Sequence, residues 1–141
     1  PAAEPMWSPD GSKIAFTSER DGDQEIFSIN PDGTGITQIT ANGSRDAMAS
    51  WSADGTKLAF SADRDGNMEI YSMNADGTSQ TRLTNNGAYE DCAAWSPDGT
   101  KIAFRSDRDG NAEIYVMSAD GTNQVNLTNN PAIDACPFWK P

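Results

Sequence analysis

The stretch WSPDGTKIAFRSDRDGNAEIYVMSADGT, residues 95–122, decides the fold of this chain. Apolar and polar residues alternate in short runs, and each run ends in a turn sequence that contains Asp-Gly. Such alternation is typical of half-buried β-strands, and Asp-Gly favours tight turns because glycine adopts a positive φ without strain. We expect four short strands in this unit, at roughly residues 92–96, 101–106, 112–118 and 124–128.

The same unit recurs along the chain at a fixed spacing of 44 residues, which separates Trp7, Trp51, Trp95 and Trp139. Three copies span about residues 1–44, 45–88 and 89–132, and residues 133–141 repeat the first nine residues of the unit. Repeated four-stranded units of about forty residues indicate a β-propeller. The sequence therefore predicts one all-β domain over residues 1–141, a partial propeller of three four-stranded antiparallel blades.

Residues 7–34, 51–78 and 95–122 share the pattern WSPDG, KIAF, RDG, EIY and DGT, which resembles the repeat of TolB-type β-propellers. The resemblance covers essentially the whole chain. It implies a propeller of six blades, as in TolB itself, in a periplasmic, secreted or cell-surface bacterial protein that serves as a docking platform. Related propellers also stand beside the catalytic domains of prolyl-oligopeptidase-like and tricorn-like peptidases, so the resemblance implies no single activity.

Three blades are too few for a ring, because closed propellers have about four to eight. One interpretation is that two copies of the chain form a six-bladed ring, which would cover the exposed blade faces. Residues 1–9 and 133–141 would then be two copies of one innermost strand that compete for a single place at each junction. The other interpretation is a fragment whose missing blades lie in a longer protein. Three chains forming nine blades is a less favoured alternative.

The composition of the chain argues against several classes of function. With 10 Lys and Arg against 21 Asp and Glu, the net charge is -11, which argues against a nucleic-acid partner. No apolar stretch is long enough for membrane insertion, and the absence of histidine removes the commonest general base. We expect a non-catalytic module that binds a protein or another ligand and requires no cofactor. The alternatives are the propeller part of a larger peptidase-like or cell-surface protein, and a structural module that binds calcium.

Three acids, Asp46, Glu90 and Asp134, each precede a repeat tryptophan by five residues, at the entrance of an innermost strand. Because innermost strands line the central channel of a propeller, we expect these acids to form a ring at one mouth. They are either solvated or turn-capping acids, or they hold Ca²⁺ or another cation that relieves their mutual repulsion. Alanine occupies the corresponding position 2, which suggests that the N-terminal strand copy is the dispensable one.

Four further acids, Asp63, Asp65, Asp107 and Asp109, lie in the Asp-Arg-Asp-Gly turns. These turns superficially resemble a calcium loop, but they lack the order of acids and the distant glutamate of an EF-hand. We expect hairpin turns held by aspartate side chains, with Arg108 paired to a nearby carboxylate such as Glu113. A cation at these turns is the alternative.

Cys92 and Cys136 are one repeat apart, each three residues before a tryptophan. They should face the same environment on adjacent innermost strands. Two buried free thiols are slightly favoured, because innermost strands of neighbouring blades diverge. The alternative is a disulfide, which would stabilise the fold by about 4 kcal/mol in the chain-entropy treatment and would suit an extracytoplasmic protein.

Overall fold

The computed structural model of the protein describes residues 2–140, which form twelve β-strands in three four-stranded antiparallel sheets. In each sheet the strands follow one another in chain order, so each repeat is a meander. The all-β prediction of three four-stranded blades is confirmed. No helix long and apolar enough to cross a bilayer occurs among these residues.

The strand bounds repeat closely from blade to blade. The first blade contains β1 (Ala2–Trp7), β2 (Ile14–Ser18), β3 (Glu25–Ile29) and β4 (Thr37–Gln38). The second contains β5 (Asp46–Trp51), β6 (Lys57–Ala62), β7 (Glu69–Asn74) and β8 (Thr81–Arg82). The third contains β9 (Glu90–Trp95), β10 (Lys101–Ser106), β11 (Glu113–Ser118) and β12 (Val125–Asn126).

The turn between β9 and β10 shows why the sequence folds this way locally. The Asp98 carboxylate accepts hydrogen bonds from the Ser96 hydroxyl at 2.6 Å and from the Thr100 backbone N–H at 3.0 Å. Gly99 supplies the left-handed backbone with a φ of 71°. The bond from Ser96, followed by those from Thr100, lowers the pKa of Asp98 to about 2. The turn is therefore built around an ionised aspartate.

The hydrophobic core lies between the blades. One cluster joins Ile70 and Leu83 of the second blade to Trp95, Phe104 and Met117 of the third. A second cluster joins the first blade to the second in the same way, through Ala15, Ile26, Leu58, Phe60 and Met73. A chain with few apolar residues can form this core because the same positions recur in register.

The outward faces of the two end blades lack this cover. Trp7 and Leu127 are 56% and 57% exposed, whereas their repeat counterparts Trp95 and Leu83 are 9% and 8% exposed. The repeat thus leaves one apolar face open at each end of the blade array.

Residues 133–140 keep the position of an innermost strand but pair with no other strand. The Asp134 N–H donates to Ala112 O at 2.8 Å, as the Asp46 N–H donates to Gln24 O at 2.7 Å. Near its end, the Trp139 indole N–H donates to Ala94 O at 3.0 Å. These residues therefore make two hydrogen bonds typical of an innermost strand but form no strand, and the duplicate strand stays a prediction.

Candidate functional site

The innermost strands β1, β5 and β9, together with residues 136–138, line a groove of about 310 Å³. This groove follows the position of the central channel of a propeller. Its walls are mostly apolar, and Glu4 is the one charged side chain among the described residues that line it. The other large lining side chains are Pro5, Met6, Met48, Pro137 and Phe138.

A repeated backbone irregularity shapes the groove. Glu4, Met48 and Cys92 occupy the same repeat position, and all three have a left-handed φ, of 58°, 56° and 56°. Next to each of them the register of the innermost strand shifts against the second strand of its blade. A bulge of this kind bends the strand and re-aims side chains. Since non-glycine residues rarely adopt positive φ, its recurrence shows that the bulge belongs to the repeat.

The bulge residues connect adjacent blades along the groove. Glu4 Oε2 accepts a hydrogen bond from the Met48 N–H at 2.9 Å and another from the Thr17 hydroxyl at 3.0 Å. The sulfur atoms of Met48 and Cys92 lie 3.9 Å apart. Side chains of neighbouring blades thus touch across the groove floor.

Cys92 and Cys136 are joined in a disulfide, with their Cα atoms 5.2 Å apart. The prediction of two free thiols is therefore wrong. That prediction assumed that neighbouring innermost strands diverge. The two backbones approach because β9 has a bulge at Cys92 and because residues 133–140 are not paired with a strand. The disulfide attaches the C-terminal segment to the third blade.

The predicted ring of acids does not form, since Asp46 is fully buried within its own blade. Its carboxylate lies 2.5 Å from Arg64 Nη2 and accepts a bond from Asn42 Nδ2 at 2.7 Å. The Arg64 guanidinium also lies over the rings of Phe60 and Tyr71, at 5.2 and 5.1 Å from their centroids.

Glu90 repeats this arrangement in the third blade and is also fully buried. Arg108 Nη2 lies 2.8 Å from its carboxylate, and the Ser106 hydroxyl donates to it at 2.8 Å. The expected pairing of Arg108 with Glu113 is therefore wrong, because the antiparallel register places the arginine beside Glu90.

Asp134 lies in the C-terminal segment, where Asn130 Nδ2 donates to it at 3.2 Å. The prediction of acids open to a channel mouth is therefore wrong for Asp46 and Glu90, because each is buried and paired with an arginine of its own blade. Within residues 2–140 no group of three or more acidic or cysteine side chains is arranged to hold a metal ion. Calcium binding stays an untested prediction. The arginines paired with Asp46 and Glu90 argue against a cation at these two acids.

The four turn acids are engaged by protein groups. Asp63 and Asp107 accept the backbone N–H groups of Arg45 and Tyr89, at 2.9 and 2.7 Å, and so hold the loops that lead into β5 and β9. Asp65 and Asp109 accept hydrogen bonds from the Tyr71 and Tyr115 hydroxyls. Burial of the ring, followed by this bond, raises the pKa of each tyrosine to about 12.

The role of three buried glutamates was not predicted from the sequence. Glu25, Glu69 and Glu113 begin the third strand of each blade. Glu69 Oε1 accepts the Asn86 backbone N–H at 2.8 Å and a bond from Arg82 Nη2 at 3.0 Å. Glu25 Oε1 accepts the Asn42 N–H at 2.6 Å, and burial raises its pKa. These glutamates hold the connections between blades. Their recurrence at one repeat position was the available signal.

Comparisons with known proteins agree with this architecture. Residues 2–93 match the PD40 family, described as the TolB beta propeller domain. A segment of 37 residues is 49% identical to the Tol-Pal system protein TolB of Syntrophus aciditrophicus, covering 26% of this chain and 8% of that protein.

Among solved structures, TolB from Acinetobacter baumannii superposes with a TM-score of 0.86 at 31% identity, over 98% of this chain and 35% of that one. A putative TolB from Agrobacterium tumefaciens gives 0.83 at 28% identity, over 89% of this chain and 48% of that one. A puromycin hydrolase, at 17% identity and a TM-score of 0.77, shares the fold alone. The chain spans less than half the length of each of these proteins. Since the family match covers more than half of its residues, the chain belongs to the TolB β-propeller domain family.

Proposed function

We propose that this chain is a non-catalytic β-propeller module that binds a protein or peptide segment along its central groove. The observation that carries the proposal is the apolar groove of about 310 Å³ that crosses all three blades. Binding sites are usually concave and mostly apolar, as this groove is. Met48 favours binding of varied side chains, because methionine is flexible and polarisable.

The charge of the chain favours one class of ligand. A net charge of -11 attracts cationic segments and raises their rate of encounter. An extended segment that alternates apolar and basic residues therefore matches both the groove wall and the surrounding field.

A periplasmic, secreted or cell-surface location belongs to the same proposal. The resemblance to TolB-type propellers implies it, and the Cys92–Cys136 disulfide supports it because disulfides persist in oxidising compartments.

Self-assembly is the second part of the proposal: two copies cover each other's open end faces and form a six-bladed ring. The exposed Leu127, whose counterpart Leu83 is buried between blades, supports it. The alternative is that further blades of a longer peptidase-like or cell-surface protein cover these faces. The coverage of 35% and 48% of the solved TolB chains favours that alternative.

Two experiments test the proposal. Light scattering of the chain gives its solution mass, and a mass of one chain would contradict self-assembly. Fluorescence anisotropy with a labelled peptide of alternating leucine and lysine tests the groove. Met48→Lys should weaken binding at least tenfold, whereas Thr81→Lys, on the exposed outer strand β8, should leave it unchanged. Equal affinities of the two variants would contradict binding in the groove.

A further inference from the structure

In the second and third blades an arginine binds the acid that begins the innermost strand. Arg64 lies 2.5 Å from Asp46 and Arg108 lies 2.8 Å from Glu90, and both acid side chains are fully buried. Each arginine also lies over the aromatic pair of its blade. In both blades the arginine, the aromatic pair and the acid therefore form one unit, which we name the arginine seat.

The first blade has this seat without its acid. The Arg20 guanidinium lies 4.7 Å from the Phe27 ring centroid and 5.5 Å from that of Phe16, and its Nε donates to the Ser18 hydroxyl at 3.2 Å. The sequence carries alanine at position 2, where the other blades have an acid. Among the described ion pairs of residues 2–140, none includes Arg20.

The C-terminal segment has the acid without its arginine. Asp134 corresponds to Asp46 and Glu90, and Asn130 Nδ2 reaches it as Asn86 Nδ2 reaches Glu90. Its backbone and the Trp139 indole make the bonds of an innermost strand. None of the ion pairs described within residues 2–140 includes Asp134.

We propose that residues 133–140 of one copy replace β1 on the first blade of a second copy, where Asp134 binds Arg20 of that neighbour. This inference rests on the self-assembly proposed above and names the contact that specifies it. In this position the segment pairs with β2 of the neighbour, in the place of that neighbour's β1. It thereby gains the strand partner that it lacks in its own chain. Each junction then contains one innermost strand, and the second copy completes the seat that the first copy leaves empty.

A second complementarity arises at the same junction from a glycine. A β-carbon at Gly77 or Gly121 would lie 2.3 or 2.6 Å from the carbonyl oxygen of Ile39 or Leu83 on the preceding blade. Gly33 occupies the same repeat position, yet a β-carbon there would meet nothing within 4 Å. Leu127 is the repeat counterpart of Ile39 and Leu83 on the open face of the third blade. Packing of that face against the first blade of a second copy gives Gly33 the carbonyl that its counterparts contact.

Charge reversal at the two positions tests the proposal, with the dissociation constant measured by sedimentation equilibrium of the whole chain. Arg20→Asp and Asp134→Arg, each alone, place like charges in the seat and should weaken association at least tenfold, or about 1.4 kcal/mol. The double variant should restore it. An equimolar mixture of the two single variants should also associate, because both junctions of the mixed dimer then hold opposite charges.

The control is Lys57→Asp, which makes the same change of charge on the central blade and should leave the dissociation constant unchanged. Circular dichroism should show that every variant folds, since neither Arg20 nor Asp134 belongs to an ion pair described within one chain. A dimer that ignores both reversals would overturn the pairing and leave self-assembly standing. A wild-type chain that stays monomeric would overturn both.

Discussion

Gly121 lies against the carbonyl oxygen of Leu83 on the preceding blade, so closely that a β-carbon at position 121 would be 2.6 Å from that oxygen. Real β-carbons do not approach a carbonyl oxygen so closely. The glycine therefore sets the distance between the second and third blades. The backbone gives a second reason for glycine at this position, because a φ of 88° is strained for other residues.

Gly121→Ala should therefore destabilise the fold more than Gly33→Ala. Both variants carry the strain of a positive φ, but only the first forces the alanine methyl group against another blade. We expect a difference of about 2 kcal/mol in the free energy of unfolding, the usual range for overpacking. Urea unfolding at low protein concentration, where intermolecular contacts are dissociated, measures it. Equal losses for the two variants would contradict the packing role of Gly121.

Arg108→Met should cost about 3 kcal/mol, because it leaves the Glu90 carboxylate buried without its partner. Methionine keeps much of the contact with the aromatic rings of the blade, so the loss reports mainly the charge. Lys101→Met, at an exposed position of β10, is the matched control and should change stability by less than about 0.5 kcal/mol. Chemical denaturation of both variants compares them. A small loss for Arg108→Met would contradict a stabilising charge pair at Glu90.

Reduction of the Cys92–Cys136 disulfide should destabilise the chain by up to about 4 kcal/mol, since the bond closes a long loop. Thermal unfolding with and without a phosphine reductant measures the effect. The double variant Cys92→Ser and Cys136→Ser should unfold at the temperature of the reduced protein and should not respond to reductant. A wild-type protein indifferent to reductant would contradict the disulfide.

The buried carboxyl of Glu25 should give stability a measurable dependence on pH. Burial raises its pKa above the ordinary 4.5, so the folded state binds this proton more tightly than the unfolded state. The resulting stabilisation is fully present below the unfolded pKa and is lost as pH rises through the folded pKa. Glu25→Gln should remove this contribution. Between pH 4.5 and neutrality, the free energy of unfolding of the variant should therefore fall less than that of the wild type.

The exposed variant Asp21→Asn controls for the loss of a negative charge at Glu25. Urea unfolding of wild type, Glu25→Gln and Asp21→Asn at several pH values separates the three. Identical pH slopes for wild type and Glu25→Gln would mean that Glu25 is ionised equally easily in both states.

The fold could be predicted because its determinants are local and repeated. Asp98 and Gly99 specify a hairpin within a few residues of themselves, and the same chemistry recurs in every blade. The outermost strand was predicted too long, as residues 124–128, whereas β12 is Val125–Asn126. It pairs with one neighbour through two residue pairs, Tyr115 with Asn126 and Val116 with Val125.

The site was harder to predict because its contacts depend on register and on one backbone irregularity. Arg108 is close in sequence to Glu113 but binds Glu90, which the pairing of β9 with β10 brings beside it. The bulge that lets Cys92 approach Cys136 requires a positive φ at a cysteine, which residue type does not indicate.

The location of the core between blades has a consequence for how this protein unfolds. Each blade alone buries little apolar surface, so its stability depends on its nearest neighbours, as in a one-dimensional cooperative array. Each core cluster therefore needs two adjacent blades to form. Loss of the first blade leaves such a pair intact, whereas loss of the central blade removes both core clusters at once.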